Sequence, residues 1–136
     1  MKKKPTEKQL KIKLDKNFSL YIRWRDSDGI GLNCISCGNY IKIEDAQNGH
    51  LISRRHNATK YDEANCNGQC FPCNLWKRGN IAYYMRNLEE KIGRKAVDEV
   101  IRKSKQIKKF TRSELEEMLE YFTKELEEIK KVKCPT

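Results

Sequence analysis

Two CxxC pairs are the clearest sign of chemistry in the sequence. The pairs are Cys34 with Cys37 and Cys70 with Cys73. Two intervening residues let both thiolates of a pair reach one ion, and four thiolates complete the tetrahedral shell of a structural zinc. The spacing therefore predicts a closed zinc site, because a redox CxxC, the alternative, needs no second pair. Cys66 and Cys134 have no CxxC partner, and we interpret them as ordinary thiols.

The chain has two histidines, and both lie between the CxxC pairs. A neutral imidazole can take a proton from water near pH 7, which is the work of a general base. His50 lies where the second strand of the expected hairpin begins, and this position inside a zinc-bounded strand-turn-strand-helix favours the base role over a structural one. His56 lies in a basic loop with Arg54 and Arg55, and we interpret it as a surface or phosphate-contacting residue.

Two asparagines are further candidates for the same site. Asn65 precedes the second CxxC pair, where its amide could hold the loop and orient the imidazole of His50. The alternative is an ordinary turn residue. Asn74 directly follows Cys73, and its side-chain oxygen could coordinate magnesium or manganese. The alternative for Asn74 is a helix cap.

The charge of the chain indicates a polyanionic partner. The formal net charge is +10, and residues 1–33 hold nine basic against four acidic side chains. Such an excess attracts nucleic acid, although simple solubility is the plainer alternative. We expect contacts to the DNA backbone from six basic residues: Arg23, Arg25, Arg54, Arg55, Lys77 and Arg78.

Hydrophobic periodicity predicts the elements that must position these side chains. Residues 6–26 form a helix whose apolar positions share one face. Residues 41–43 and 50–52 are expected to pair as two strands across a turn at Asn48 and Gly49, a strong hairpin signal. Residues 53–69 lack periodicity and are expected to form a loop, with a helix beginning near residues 70–74.

Helices are also expected over residues 81–92 and 96–107 and from a capping box at Thr111 and Glu114 onward. The last helix carries an apolar seam at Leu115, Leu119, Phe122, Leu126 and Ile129. This seam predicts either packing against the N-terminal helix or a homodimer formed through the terminal helices.

These elements predict a mostly helical α+β protein with a basic helix (1–31), a zinc-bound centre (32–80) and C-terminal helices (81–136). Only 38% of residues are hydrophobic and 35% are charged, so a metal is expected to support a small core. No stretch approaches the roughly 20 apolar residues of a membrane span. We therefore expect a cytoplasmic protein without a membrane partner.

The order of the candidate residues resembles a known nuclease motif. His50, Asn65 and Asn74, set between and after two CxxC pairs, resemble the His-Asn-Asn variant of HNH nucleases. The resemblance to phage NinG-like (Rap) recombination nucleases is closer, and it runs from residue 14 to residue 93. The matching positions are 14–19, 21–23, 25–28, 34–38, 49–50, 65, 68–70, 73–74, 79–80, 84 and 92–93.

The resemblance implies a structure-selective endonuclease that cuts branched DNA, such as Holliday junctions, during phage recombination. It implies a zinc-bound ββα-metal core in which His50 is the base and Asn74 helps to hold magnesium or manganese. The chain is also similar to the endonuclease VII type of junction resolvase.

One position departs from that pattern. Such enzymes often carry an aspartate directly before the base, where this chain has Gly49. We therefore expect a carboxylate from elsewhere, with Asp45, Asp62 and Glu63 as the candidates. Two alternatives need no catalysis: a zinc-ribbon module that only binds DNA, or an adaptor that recruits other recombination proteins.

Overall fold

The computed structural model describes residues 3–134 as five α-helices and two small antiparallel sheets. The helices are Glu7–Arg25 (α1), Asn57–Lys60 (α2), Ile81–Ile92 (α3), Arg94–Ser104 (α4) and Arg112–Lys133 (α5). The strands are Gly31–Asn33 (β1), Tyr40–Lys42 (β2), Gln47–His50 (β3) and Cys66–Gln69 (β4). Short helical turns cover Ile43–Asp45, Glu63–Asn65 and Pro72–Trp76. Met1 and Lys2, the start of the predicted basic segment, lie outside the described residues, as do Pro135 and Thr136.

Both long helices begin with a capping box. The Thr6 hydroxyl accepts from the Gln9 amide at 3.1 Å, and the Gln9 side chain accepts from the Thr6 amide at 2.8 Å. Thr111 and Glu114 make the same pair of bonds at the start of α5. Each box satisfies amides that a helix otherwise leaves unpaired. The predictions of a helix over residues 6–26 and of a capping box at Thr111 are confirmed.

The two terminal helices pack on each other and form the larger hydrophobic core. Phe18 of α1 stacks edge-on against Phe122 of α5, with ring centroids 4.7 Å apart. Leu14, Leu115 and Leu126 are buried in the same cluster. The apolar seam of α5 therefore packs against α1 within the chain, which is the intramolecular alternative of the prediction.

The strand pairing differs from the prediction. β1 pairs with β2, while β3 pairs with β4, with His50 opposite Cys66. Residues 41–43 therefore do not pair with residues 50–52, and that prediction is wrong. Asn48 and Gly49 lie inside β3 rather than in a turn. Glycine is needed there for close packing, because a Cβ on Gly49 would lie 2.0 Å from Gln69 Oε1.

The predicted loop over residues 53–69 is wrong as well, since this segment contains α2, a helical turn and the whole of β4. The C-terminal helices are closer to expectation. α3 ends at Ile92, as predicted, while α4 begins and ends two to three residues earlier than residues 96–107. The helix expected near residues 70–74 is only the five-residue turn Pro72–Trp76.

A second core joins α3 and α4 to the end of β3. Leu51, Tyr84, Leu88 and Val97 are buried together. The hydroxyl of Tyr84 donates to the carbonyl of Gly49 at 2.7 Å, so α3 is tied directly to the strand that carries His50. Burying a tyrosine requires such a partner for its hydroxyl.

Removal of a core side chain from α1 is expected to destabilise the whole protein. Leu14 is fully buried, and Leu14→Ala should lower the free energy of unfolding by about 2–5 kcal/mol. Ile12, on the same helix, is 61% exposed, and Ile12→Ala should change this free energy by less than about 0.5 kcal/mol. Urea denaturation measures both, and equal effects would contradict the α1–α5 core.

Candidate functional site

The four CxxC cysteines come together at one point. The ligand atoms of Cys34, Cys37, Cys70 and Cys73 all lie within 4.8 Å of one another. The sulfur atoms of Cys37 and Cys70 are 3.7 Å apart. Tetrahedral bonds of about 2.3 Å place neighbouring sulfurs about 3.8 Å apart, so the cluster could hold a structural zinc ion. The other thiols lie elsewhere: Cys66 is buried in the α1–α5 core and Cys134 is exposed.

Backbone amides around the cluster favour the thiolate form of one cysteine. Burial alone would raise the pKa of Cys34. The backbone N–H groups of Cys37, Cys70 and Ser36 donate to its sulfur and lower the pKa below its ordinary value. Zinc binds the thiolate rather than the thiol, so this environment suits a metal ligand.

His50 has a fixed tautomer at the end of β3. Its Nε2 lies 2.9 Å from the carbonyl oxygen of Lys60. A carbonyl can only accept, so Nε2 carries the proton and Nδ1 keeps its lone pair. Burial lowers the pKa of His50 below its ordinary value of 6.5, and the neighbouring Arg54 lowers it further. The imidazole is therefore neutral at pH 7 and able to accept a proton.

A cavity of about 280 Å³ joins His50 to Asn74. Asn74 lies in the turn after Cys73, and its Nδ2 donates to Gln47 Oε1 at 2.6 Å. This bond fixes the amide and leaves Asn74 Oδ1 as an acceptor. Asn74 is thus held by a side chain of β3 rather than capping a helix.

The carboxylate of this cavity is Asp15, which sequence reasoning did not select. Asp15 lies on α1 and lines the cavity together with His50 and Asn74. Its Oδ1 is 3.5 Å from Lys60 Nζ and accepts a hydrogen bond from the hydroxyl of Tyr61. Burial and the adjacent carboxylate raise the pKa of Tyr61, which stays a donor. The one available signal was the position of Asp15 in the first block of family resemblance.

The three carboxylates proposed from the sequence lie outside the cavity. Asp62 is bonded to the Ala64 amide and to Lys103, and Glu63 accepts from Tyr21. Asp45 is exposed on a helical turn and does not line the cavity. Position 49 could not supply a carboxylate either, because its side-chain direction points into Gln69. Asp45, Asp62 and Glu63 therefore do not line the cavity with His50 and Asn74, whereas Asp15 does.

Asn65 holds the loop that supports the imidazole. It is fully buried; its Oδ1 accepts from the Ile52 amide, and its Nδ2 donates to the carbonyls of Ile52 and Thr59. These bonds go to the backbone rather than to His50. Asn65 is linked to the imidazole only through the backbone: it bonds the carbonyl of Thr59, and the next carbonyl, that of Lys60, bonds His50.

Several of the predicted basic residues surround the cavity. Arg54 lines it, and Arg78 lines an adjoining groove that also contains His50 and Asn74. Arg55 and Lys77 are exposed close by in sequence. Arg23 also lines the cavity, although it donates to the carbonyls of Ser19, Ile43 and Ala46 as well.

Arg25 is bonded within the fold. Its guanidinium donates to Asp26 and to the carbonyls of Glu63 and Cys66, and its side chain is only 23% exposed. The group joins the end of α1 to β4. These donors are used inside the protein, and the contact of Arg25 with DNA stays a prediction.

The sequence of this chain matches a known protein family. The sequence model described as "Bacteriophage Lambda NinG protein" matches residues 1–133, which is nearly the whole chain. The chain belongs to the NinG family. The predicted resemblance to NinG-like proteins is confirmed at the level of the family.

Several phage proteins with the name "Protein ninG" are similar to this NinG-family chain. Identity over 80 residues is 38% for Salmonella phage P22, 36% for Escherichia phage 933W and 35% for Escherichia phage lambda. The aligned part is 59% of this chain and 38% of each relative. No solved structure matches the chain. Within residues 3–134, no helix is both long enough and apolar enough to cross a bilayer.

Removal of one CxxC thiol tests the metal site. The purified NinG-family protein should contain about one zinc, and Cys73→Ser should lose it. The free energy of unfolding should fall by about 4 kcal/mol or more, since the metal stabilises only the folded state. The control is Cys134→Ser, an exposed thiol, which should keep both zinc and stability. If the protein is as stable without zinc as with it, the metal is not structural.

Proposed function

We propose that this chain is an endonuclease that cuts branched DNA, with His50 as general base and a divalent cation as cofactor. One observation carries the proposal: a neutral, tautomer-fixed imidazole shares a cavity with a carboxylate, a fixed amide and basic side chains. These groups can supply a base, oxygen ligands for a cation and positive charge to phosphodiester hydrolysis. Branched DNA as the substrate comes from the resemblance to recombination nucleases.

His50 supplies the base of the proposed reaction. With Nε2 donating to Lys60, the Nδ1 lone pair takes a proton from a water that attacks the phosphorus. The lowered pKa keeps the base unprotonated at pH 7. Asn65 keeps the Lys60 carbonyl in place by holding the surrounding loop.

The donors in the cavity fit a hard divalent cation. Asp15 offers a carboxylate and Asn74 an amide oxygen, and magnesium and manganese both prefer oxygen ligands. A cation bound by these two residues would neutralise the charge that develops on the phosphate and the leaving oxygen. The proposed residues come from α1 and from the turn beside the cysteine cluster, so both must be in place together.

The surface around the cavity suits the phosphate backbone. Residues 46–61 contain Arg54, Arg55 and Lys60 and no acidic side chain. Residues 64–88 likewise contain three basic residues and no acidic one. Such contacts position DNA without reading its sequence, which is consistent with recognition by shape. Binding should weaken steeply as the salt concentration rises.

Substitution of the base tests the proposed chemistry. His50→Ala should reduce magnesium-dependent cleavage of a synthetic four-way junction by about 100-fold or more, while the junction is still bound. Asp15→Asn should raise the magnesium concentration needed for half-maximal cleavage. The matched controls, His56→Ala and Asp45→Asn, alter an exposed histidine and an exposed carboxylate outside the cavity and should leave cleavage unchanged.

Undiminished cleavage by His50→Ala would contradict the assignment of the base. Tight junction binding by the wild-type protein without any cleavage in magnesium or manganese would instead support a zinc-bound module that only binds DNA.

A further inference from the structure

Apolar side chains are exposed beside the proposed catalytic cavity. Phe71, Leu75 and Trp76 are 40%, 53% and 74% exposed. The rings of Phe71 and Trp76 meet edge to face, with centroids 5.5 Å apart. Phe71 therefore supports one edge of the indole, while most of the Trp76 surface faces solvent. We refer to these three residues as the aromatic tip.

Hydrogen bonds hold the backbone of the segment that carries the aromatic tip. The Asn74 amide donates to the Cys70 carbonyl at 3.0 Å, and the Gly79 amide donates to the Cys73 carbonyl at 2.7 Å. The side-chain amide of Asn80 donates to the sulfur of Cys73 at 3.5 Å. The tip therefore lies on the segment that carries the second CxxC pair. A ring presented on a fixed support loses little conformational entropy when it binds.

The surroundings of the tip favour a nucleic acid over an apolar protein surface. Lys77 and Arg78 follow Trp76 directly, and both are exposed. Leu75 lines a groove together with Arg54, Arg78 and His50, so the tip is continuous with the proposed catalytic surface. No acidic residue occurs between Glu63 and Glu89. A ligand that combines negative charge with flat aromatic faces is complementary to this surface.

We propose that Trp76 stacks on an unpaired base of the DNA substrate, in a single-stranded segment next to the duplex. The inference rests on the proposed DNA binding and adds a preference for unpaired bases. Bases inside a duplex are already stacked and offer no free face, whereas bases in a single strand do. Basic residues on either side of the ring then bind the flanking phosphates.

Tryptophan fluorescence reports this contact directly. The chain has two tryptophans, and Trp24 is partly buried against the core. In Trp24→Phe, the emission comes from Trp76 and should be quenched by a single-stranded oligonucleotide much more than by a blunt duplex of the same sequence. In Trp76→Phe, the remaining Trp24 emission should not respond. Equal quenching of Trp76 by both DNAs, or no quenching, would overturn the proposal.

Binding by matched variants separates stacking from simple apolar contact. Trp76→Ala and Trp76→Leu should both weaken binding to single-stranded DNA by about 10-fold or more, whereas Trp76→Phe should retain most of it. Duplex binding should be unchanged in all three. The control Tyr121→Ala removes an aromatic ring that is 49% exposed on α5 and should affect neither DNA. If Trp76→Leu binds single-stranded DNA like wild type, stacking is overturned. Stacking is also overturned if the wild-type protein self-associates and Trp76→Ala does not, because the ring then contacts a second copy of the chain.

Both experiments are done without an added divalent cation and require no cleavage. Absence of stacking would therefore leave the nuclease proposal intact. Stacking in a protein that never cuts DNA in magnesium or manganese would defeat the nuclease proposal alone.

Discussion

The arrangement of the two sheets and of the candidate site depends first on four cysteine sulfur atoms that lie at one point. Cys34 and Cys37 follow β1, and Cys70 and Cys73 follow β4, so one cluster fastens two separate sheets. Neutral polar contacts reinforce the junction: the Ile35 amide donates to the Gly68 carbonyl at 3.0 Å. In a chain with 35% charged residues, such a cluster replaces part of the apolar core that a larger protein would have.

The position of the candidate site follows from the cysteine cluster and from the packing of α1 against α5. The turn after Cys73 carries Asn74 and the aromatic tip, so the cluster fixes both relative to β3. The opposite wall of the cavity is α1, which is held in place by α5 from the far end of the chain. Asp15 therefore lines the same cavity as His50 only when the terminal helices are packed. The site is assembled from three regions, and none of them could form it alone.

Sequence patterns predicted the features that depend on neighbouring residues. CxxC spacing, capping boxes and helical periodicity are local, and they identified the cysteine cluster, α1, α3 and the start of α5 correctly. His50 and Asn74 were selected because their positions relative to the CxxC pairs are also fixed by local spacing. The family resemblance was a further guide, and it is confirmed by the match over residues 1–133.

The errors concern partners that are distant in sequence. Asn48 and Gly49 are a typical turn dipeptide, yet here the missing side chain of Gly49 accommodates Gln69 across the sheet. The charge pattern did not show that Arg25 donates to the backbone carbonyls of residues 63 and 66. Asp15 was missed because helical periodicity shows only that it is off the apolar face. Which distant side chain it faces is decided by tertiary packing.

Manganese-induced line broadening tests whether Asp15, Asn74 and His50 form one cation-binding site, as proposed. A paramagnetic ion broadens nearby NMR signals with a steep dependence on distance, and the chain has only two histidines. Substoichiometric manganese should broaden the imidazole signals of His50 and spare those of His56, and Asp15→Asn should remove this selectivity. Equal broadening of both histidines, or selective broadening that survives in Asp15→Asn, would contradict the account.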